Sequence, residues 1–370
     1  MDDNPQELKP VLREFKSMIY NDTRLYMLFS SMFDQISSKK PYSQDPEGHK
    51  QVRDVNHMLA VLNHLLTTAP EWSEQAHGVG MVGLPVHALF DRPMATPSGF
   101  GVFLDPQVNS MLKKVLNEWG SFLSSPASAY VLSTESHGWF GPTGSKDLNT
   151  VANEASGSDL PFEKLFKCDP SAKNHGYSSW DDFFTRQFRF DEGIRPVAAP
   201  GHAEIIANAC ESTPYNVAYN VKARDKFWIK GQPYSIRDML AQDKLSEDFV
   251  GGTIYQAFLS ALSYHRWHSP VAGKIVKAYV VDGTYYSEPL FETLGDPSHG
   301  DYGGQATGQG YITHTASRAM IFIDADNKDI GLMCVLFVGM VEVSTNEITV
   351  KEGQHVEKGE QLGMVSFRLP

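Results

Sequence analysis

His265 and His268 stand three apart in the run Tyr264-His265-Arg266-Trp267-His268-Ser269-Pro270-Val271-Ala272-Gly273-Lys274-Ile275-Val276. Imidazole is the side chain best suited to moving protons near neutral pH. The Pro/Gly turn and the alternating strand that follow would hold both rings at the rim of a β-structure. From the residues alone three readings are open: acid–base work, a metal site, or ordinary core or surface histidines. A metal would need a third and fourth ligand, and no cluster of His, Cys or Glu stands nearby in sequence. No metal site is therefore expected.

Other chemistry-bearing patterns are weaker. Gly78-Val79-Gly80-Met81-Val82-Gly83 matches GxGxxG, but it follows a helical region and lacks the strand and the later acidic residue that a dinucleotide site needs. A flexible turn is the better reading. The chain has no GxSxG elbow, no HExxH and no P-loop. Cys168, Cys210 and Cys334 are far apart and form no CxxC pair, which fits separate thiols in a reducing compartment.

The elements that must position these groups change character along the chain. Val11, Phe15, Met18 and Ile19, then Leu25, Leu28, Phe29, Met32 and Phe33, then Val55, Met58, Leu59, Leu62, Leu65 and Leu66 recur at helical spacing. A further helix is punctuated by Asp105 as N-cap, Pro106 at its first turn and Gly120 after its apolar stripe. Residues 133 to 180 are rich in Gly, Ser, Pro and Asn and read as connecting structure, before a short aromatic helix in Trp180 to Phe190.

After Pro196, short β-type runs alternate with glycine turns: Phe227 to Ile229, Ile275 to Val281 and Met320 to Ile323. The longest apolar run, Ile330 to Val343, reads as a buried strand pair or one long strand, and only Tyr234 to Leu240 reads as helix in this part. Ser269 to Gly283 and Ile348 to Gly363 form a weak internal repeat of the kind found in barrel-sandwich hybrids. The expectation is an α+β chain, with a helical N-terminal domain over 1–175 and a β-rich domain over 176–370.

Lys+Arg is 32 and Asp+Glu is 44, a formal charge of −12 with no basic run, which argues against nucleic acid and against an anionic membrane surface. The N-terminus carries no secretory pattern and no apolar run reaches the ~20 residues of a membrane span. A soluble, cytoplasmic protein without an integral membrane segment is expected.

Five motifs in order resemble the phosphatidylserine decarboxylase superfamily. They are Asp182-Phe183-Phe184-Thr185-Arg186 with Phe188; Arg195-Pro196; Lys230-Gly231 with Tyr234-Ser235; Tyr264 to Pro270; and Phe337-Val338-Gly339-Met340 with Glu342. The resemblance covers about residues 178 to 367. The helical extension, Ala209-Cys210-Glu211-Ser212 and Trp267 look closest to a fungal branch that includes a soluble decarboxylase making tryptamine from tryptophan.

That resemblance implies a β-rich decarboxylase core and a self-made pyruvoyl cofactor. A serine attacks the peptide bond before it, and the chain splits into a large and a small α subunit. The substrate amine then condenses with the pyruvoyl ketone to a Schiff base, which takes up the electrons left by CO2. His268 matches the histidine given the proton-transfer role, and His265 its orienting neighbour. The substrate implied is a free aromatic amino acid or phosphatidylserine, the latter placing the enzyme in phospholipid biosynthesis. A homo-oligomer is open.

Three positions depart from the family pattern. Ser263 stands where an aspartate precedes the Tyr-His, and His202, with Glu204 two on, stands where another aspartate is expected. The Gly-Ser cleavage sequence expected after Phe367 is replaced by Arg368-Leu369-Pro370, and Ser366 follows Val365 instead of glycine. On the sequence this is the large subunit or a truncated product, expected to be inactive by itself. A non-catalytic pseudoenzyme or binding protein is the rival. A biotinyl or lipoyl carrier fits less well, because Lys328 lies before the Gly353 to Gly359 hairpin.

Overall fold

A computed structural model describes residues 7–36, 52–78, 82–225, 234–289 and 308–367. The expected strand at Phe227 to Ile229, the Lys230-Gly231 motif and residues 79–81 of the GxGxxG run lie outside these ranges.

The helical part comprises α1 (Pro10–Asn21), α2 (Thr23–Asp34), α3 (Val55–Leu65), the short α4 (Glu74–Gly78), α5 (Pro85–Met94), α6 (Pro97–Leu104), α7 (Pro106–Leu123), α8 (Pro142–Glu154), α9 (Phe162–Leu165) and α10 (Trp180–Phe184). Their starts are written in the sequence. Asp22, Asp54 and Asp105 cap α2, α3 and α7 by accepting from backbone N–H groups of the first turn, and proline opens α1, α5, α6, α7 and α8. The stripes Leu12/Phe15/Ile19, Leu25/Phe29/Met32 and Met58/Leu59/Leu62 are fully buried in one large apolar cluster.

α8 corrects the expectation of connecting structure over 133–180. The Ser/Asn/Gly composition hid the i, i+4, i+8 row Gly144, Leu148 and Ala152, which is the buried face. α7 likewise runs on past Gly120 to Leu123, because Gly120 is buried on its packed face and does not end it.

Beyond residue 210 the chain forms β1 (Thr213–Tyr219), β2 (Thr253–Phe258), β3 (Arg266–His268), β4 (Gly273–Val281), β5 (Arg318–Ala325), β6 (Leu332–Val338), β7 (Thr345–Ile348), β8 (His355–Val356) and β9 (Gln361–Ser366), with α11 (Ile236–Met239) and α12 (Gln309–Thr315) between them. All pairings between these strands are antiparallel, in sheets ordered β1-β2, β3-β9-β7 and β6-β5-β4-β8. The α+β expectation holds. β5 lies between β4 and β6 and is buried at every residue but Asp324.

The two halves of the internal repeat meet, since Gly273 of β4 pairs with Val356 of β8. Two details differ from the sequence reading. Ile330 to Val343 contains one strand, β6, which ends at a tight turn around Val341 at φ 49°. α12 is a second helix in this part, where periodicity over seven residues is too short to stand out.

Candidate active site

The motif histidines lie on and beside β3, which runs antiparallel to β9. Arg266 pairs with Met364 and Trp267 with Gly363, while His268 pairs with Gln361. Gly363 is required here: a Cβ would come within 2.9 Å of the Trp267 ring. The amide of Val365 donates to the carbonyl of His265 at 3.0 Å. His265 is therefore level with Val365, two residues from Phe367. His268 lies three residues the other way, about 10 Å further along at the ~3.3 Å rise of a strand.

His268 is held in one tautomer. Its Nδ1 is 2.8 Å from the carbonyl oxygen of Gly359, which can only accept, so Nδ1 carries the proton. Nε2 is then a lone-pair acceptor, and the hydroxyl of Tyr264 donates to it at 2.9 Å. Gly359 sits at φ +87°, the left-handed turn that aims its carbonyl inward. Burial depresses the His268 pKa, aided by the Arg266 cation and opposed by the hydrogen bond to Gly359. The ring is thus a neutral base at pH 7. Burial likewise raises the Tyr264 hydroxyl well above its usual range, so it remains a donor.

No carboxylate among the described residues bonds the His268 ring; a backbone carbonyl does that work. His202 and Glu204 pair with each other at 2.9 Å on the surface, with about two-thirds of each side chain exposed.

His265 is different. It is buried, its ring stacks on Phe184 at 3.8 Å, and its Nδ1 has no hydrogen-bond partner among the described residues. Burial first, then the Arg186 cation, bring its pKa down to about 3, against a backbone hydrogen bond to Phe184. Arg186, from the Asp-Phe-Phe-Thr-Arg motif, is itself buried and donates to the carbonyls of Leu262 at 2.6 Å and Ser263 at 3.0 Å. The motif thus fixes the approach to Tyr264. Phe188 packs on Tyr264 at 4.5 Å, and the guanidinium of Arg195, bonded to Glu211, covers Phe188.

Helix α10 also anchors the end of β9. The amide of Phe367 donates to Asp181 Oδ1 at 2.9 Å, and its ring meets Phe184 and Trp119 edge-on at 4.8 and 5.4 Å. Beside this end, where Thr345 pairs with Ser366 and Asn346 with Val365, a cleft of about 260 Å3 opens between α7 and the sheets. Leu116, Val280 and Tyr285 are among its apolar lining, and Glu342, Ser344 and Asn346 among its polar lining. Lys113, its lining cation, is paired with Asp282 at 2.6 Å.

Glu342 is buried where α5 begins. Its carboxylate accepts from the amides of Val86 at 2.9 Å and His87 at 3.1 Å and from Tyr286 Oη at 3.3 Å. Burial outweighs these donors and pushes its pKa up to about 7.

The structure thus places His268 on β3 and His265 just before it, at different distances from Phe367. Sequence reasoning missed the cleft and Asn346, and it quoted Glu342 without a role. A lone carboxylate inside the apolar run ending at Val343 was the available signal. Among the described residues no group of three His, Cys, Asp or Glu side chains comes together as a metal site, and no helix is long and apolar enough to cross a membrane.

Comparison with known proteins gives one answer. Two family models described as phosphatidylserine decarboxylase match residues 9–148 and 180–367. Decarboxylase iboD of Amanita muscaria is 41% identical over 83% of this chain and 89% of the relative. L-tryptophan decarboxylase of Psilocybe cyanescens is 38% identical over 97% of this chain and 78% of the relative. Phosphatidylserine decarboxylase proenzyme 3 of Schizosaccharomyces pombe is 28% identical over 52% of this chain and 18% of the relative.

Proposed function

The chain belongs to the phosphatidylserine decarboxylase family, and from that premise we propose that it is a pyruvoyl-dependent decarboxylase taking a free aromatic amino acid, such as tryptophan, to its amine. The cleft carries the substrate half of this reading. Its volume of about 260 Å3 falls just under the ~300–1,000 Å3 of sites for drug-sized ligands, which is the scale of one amino acid. Its lining cation is engaged with Asp282 and a carboxyl group stands in the wall. A phosphodiester head group would find no free positive partner among the described lining residues. The relatives named L-tryptophan decarboxylase, similar over nearly the whole chain, support the same reading.

The family implies a pyruvoyl group on a segment after Phe367; Arg368-Leu369-Pro370 holds no serine to form it, so the group would come from a separate segment, and the surroundings of Phe367 are what would receive it. Phe367 is clamped by Asp181, Phe184 and Trp119, and two buried polar atoms near that strand end, His265 Nδ1 and Asn346 Oδ1, are unpaired. Bound there, the group supplies the carbonyl that joins the substrate amine and takes up the electrons left by CO2. The chain's own residues bind, orient and move protons. His268, neutral with a lone pair on Nε2, is the base for self-cleavage and the group that handles the proton replacing CO2. His265 orients this strand through its stack on Phe184 and its carbonyl bond to Val365.

The test is intact-mass spectrometry of the protein from its natural source, followed by incubation with tryptophan and, separately, with phosphatidylserine vesicles. A large chain ending near Phe367, a small pyruvoyl-bearing chain, and tryptamine are expected. Product from the lipid alone would sink the amino-acid reading. A single uncut chain with no product from either would favour a non-catalytic binding protein.

A further inference from the structure

One residue of the cleft wall carries a buried polar atom that nothing among the described residues satisfies. Asn346 is 5% exposed. Its Nδ2 donates to the carbonyl of Ser344 at 3.3 Å, which settles which end of the amide is oxygen. Its Oδ1 is buried without a partner. Leaving an acceptor so stranded is destabilising, a cost that valine or isoleucine, the ordinary strand residues, would avoid. An orphaned acceptor in the wall of a ligand-sized cleft is accounted for if the ligand brings the donor. An amide oxygen only accepts, so the ligand must carry an N–H or O–H.

The neighbours narrow the chemistry. Leu116, Val280 and Tyr285 give apolar surface within a lining that also holds Asn117, Ser317 and Thr345, Ser344 Oγ already donates to Val341 O at 2.7 Å, and Lys113 is engaged with Asp282. Apolar surface beside a buried, unpaired acceptor suits a flat ring bearing a donor on its edge. We propose that Asn346 is a specificity-determining residue: its Oδ1, reached as the side chain turns, accepts from a ring N–H or ring O–H and selects such side chains over bare hydrocarbon rings. This rests on reading the cleft as the substrate site of an amino-acid decarboxylase.

Binding can be read on the purified chain without any reaction, by calorimetric titration with indole, 1-methylindole, phenol and anisole. Methylation removes the donor in each pair and adds one methyl group, whose effect on fit would persist in Asn346→Ala while that of the lost donor would not. The wild-type protein is expected to hold indole, phenol or both roughly ten- to a hundredfold more tightly than the methylated partner. The preferred pair identifies whether the donor is N–H or O–H. Asn346→Ala should abolish the preference. Should that variant not fold, the methylated probes on the wild-type chain decide alone. Equal binding within both pairs, no binding of any probe, or a preference that survives in Asn346→Ala overturns the assignment. Tryptamine formation by the natural protein is measured separately. Donor-dependent binding without tryptamine defeats the proposed reaction and leaves Asn346 standing; tryptamine without donor dependence does the reverse.

Discussion

Replacing Glu342 by Gln should change how the stability of this protein responds to pH, by an amount set by its burial. The carboxyl group is 2% exposed and receives two backbone amides of α5 and the Tyr286 hydroxyl. Those donors favour the charged form, but no cation among the described residues joins them, and the neighbouring His87 is itself kept neutral by burial, with its pKa down to about 4. Desolvation therefore wins and raises Glu342 from 4.5 to about 7.

A folded pKa above the unfolded one means the contribution is complete below pH ~4.5 and is lost as pH rises through about 7. At ~1.4 kcal/mol per pH unit the loss is about 3 kcal/mol. Glutamine keeps an oxygen for Val86 and His87 and cannot ionise. Urea unfolding of both proteins between pH 4.5 and 8, followed by tryptophan fluorescence, should show the wild type losing about 3 kcal/mol relative to Glu342→Gln. A gap independent of pH, or a wild type that gains on the variant as pH rises, would refute the reasoning. Either would mean that the helix amides and Tyr286 hold Glu342 ionised.

Tyr264→Phe removes the donor that pairs with the neutral form of His268, so the His268 pKa should rise toward the ordinary imidazole value in an NMR titration of its ring protons; no movement, or a fall, would contradict the assigned tautomer. His268→Ala should lower amine formation by the natural protein about 10²–10⁴-fold. His265→Ala should act chiefly by loosening the stack on Phe184, lowering the melting temperature, and a larger rate loss from His265 than from His268 would reverse their roles. Phe367→Ala strips a ring that is 3% exposed between Trp119 and Phe184. It should cost about 3–5 kcal/mol in denaturant unfolding, and a loss under 1 kcal/mol would show that the end of β9 is not clamped.

Much of this protein is legible residue by residue. Helix starts at Asp22, Asp54 and Asp105 follow from the need of first-turn amides for an acceptor, and the β5 run from Arg318 to Ala325 follows from burial between two neighbours. The histidine motif was visible because its residue types and spacing are local. α8 escaped notice because its packed face has one large apolar residue, Leu148, between the small Gly144 and Ala152, which together carry little apolar signal. What only the tertiary structure decided depends on contacts far apart in the chain. Gly359, 91 residues from His268, supplies the carbonyl that fixes the imidazole tautomer. Glu342 meets the amides of α5 across 255 residues or more. The strand register sets His265 beside Val365 and His268 beside Gln361. Proton affinity and proximity are properties of such surroundings. The sequence by itself could name the two histidines, but only the tertiary packing held His268 in one tautomer and set His265 nearer to Phe367.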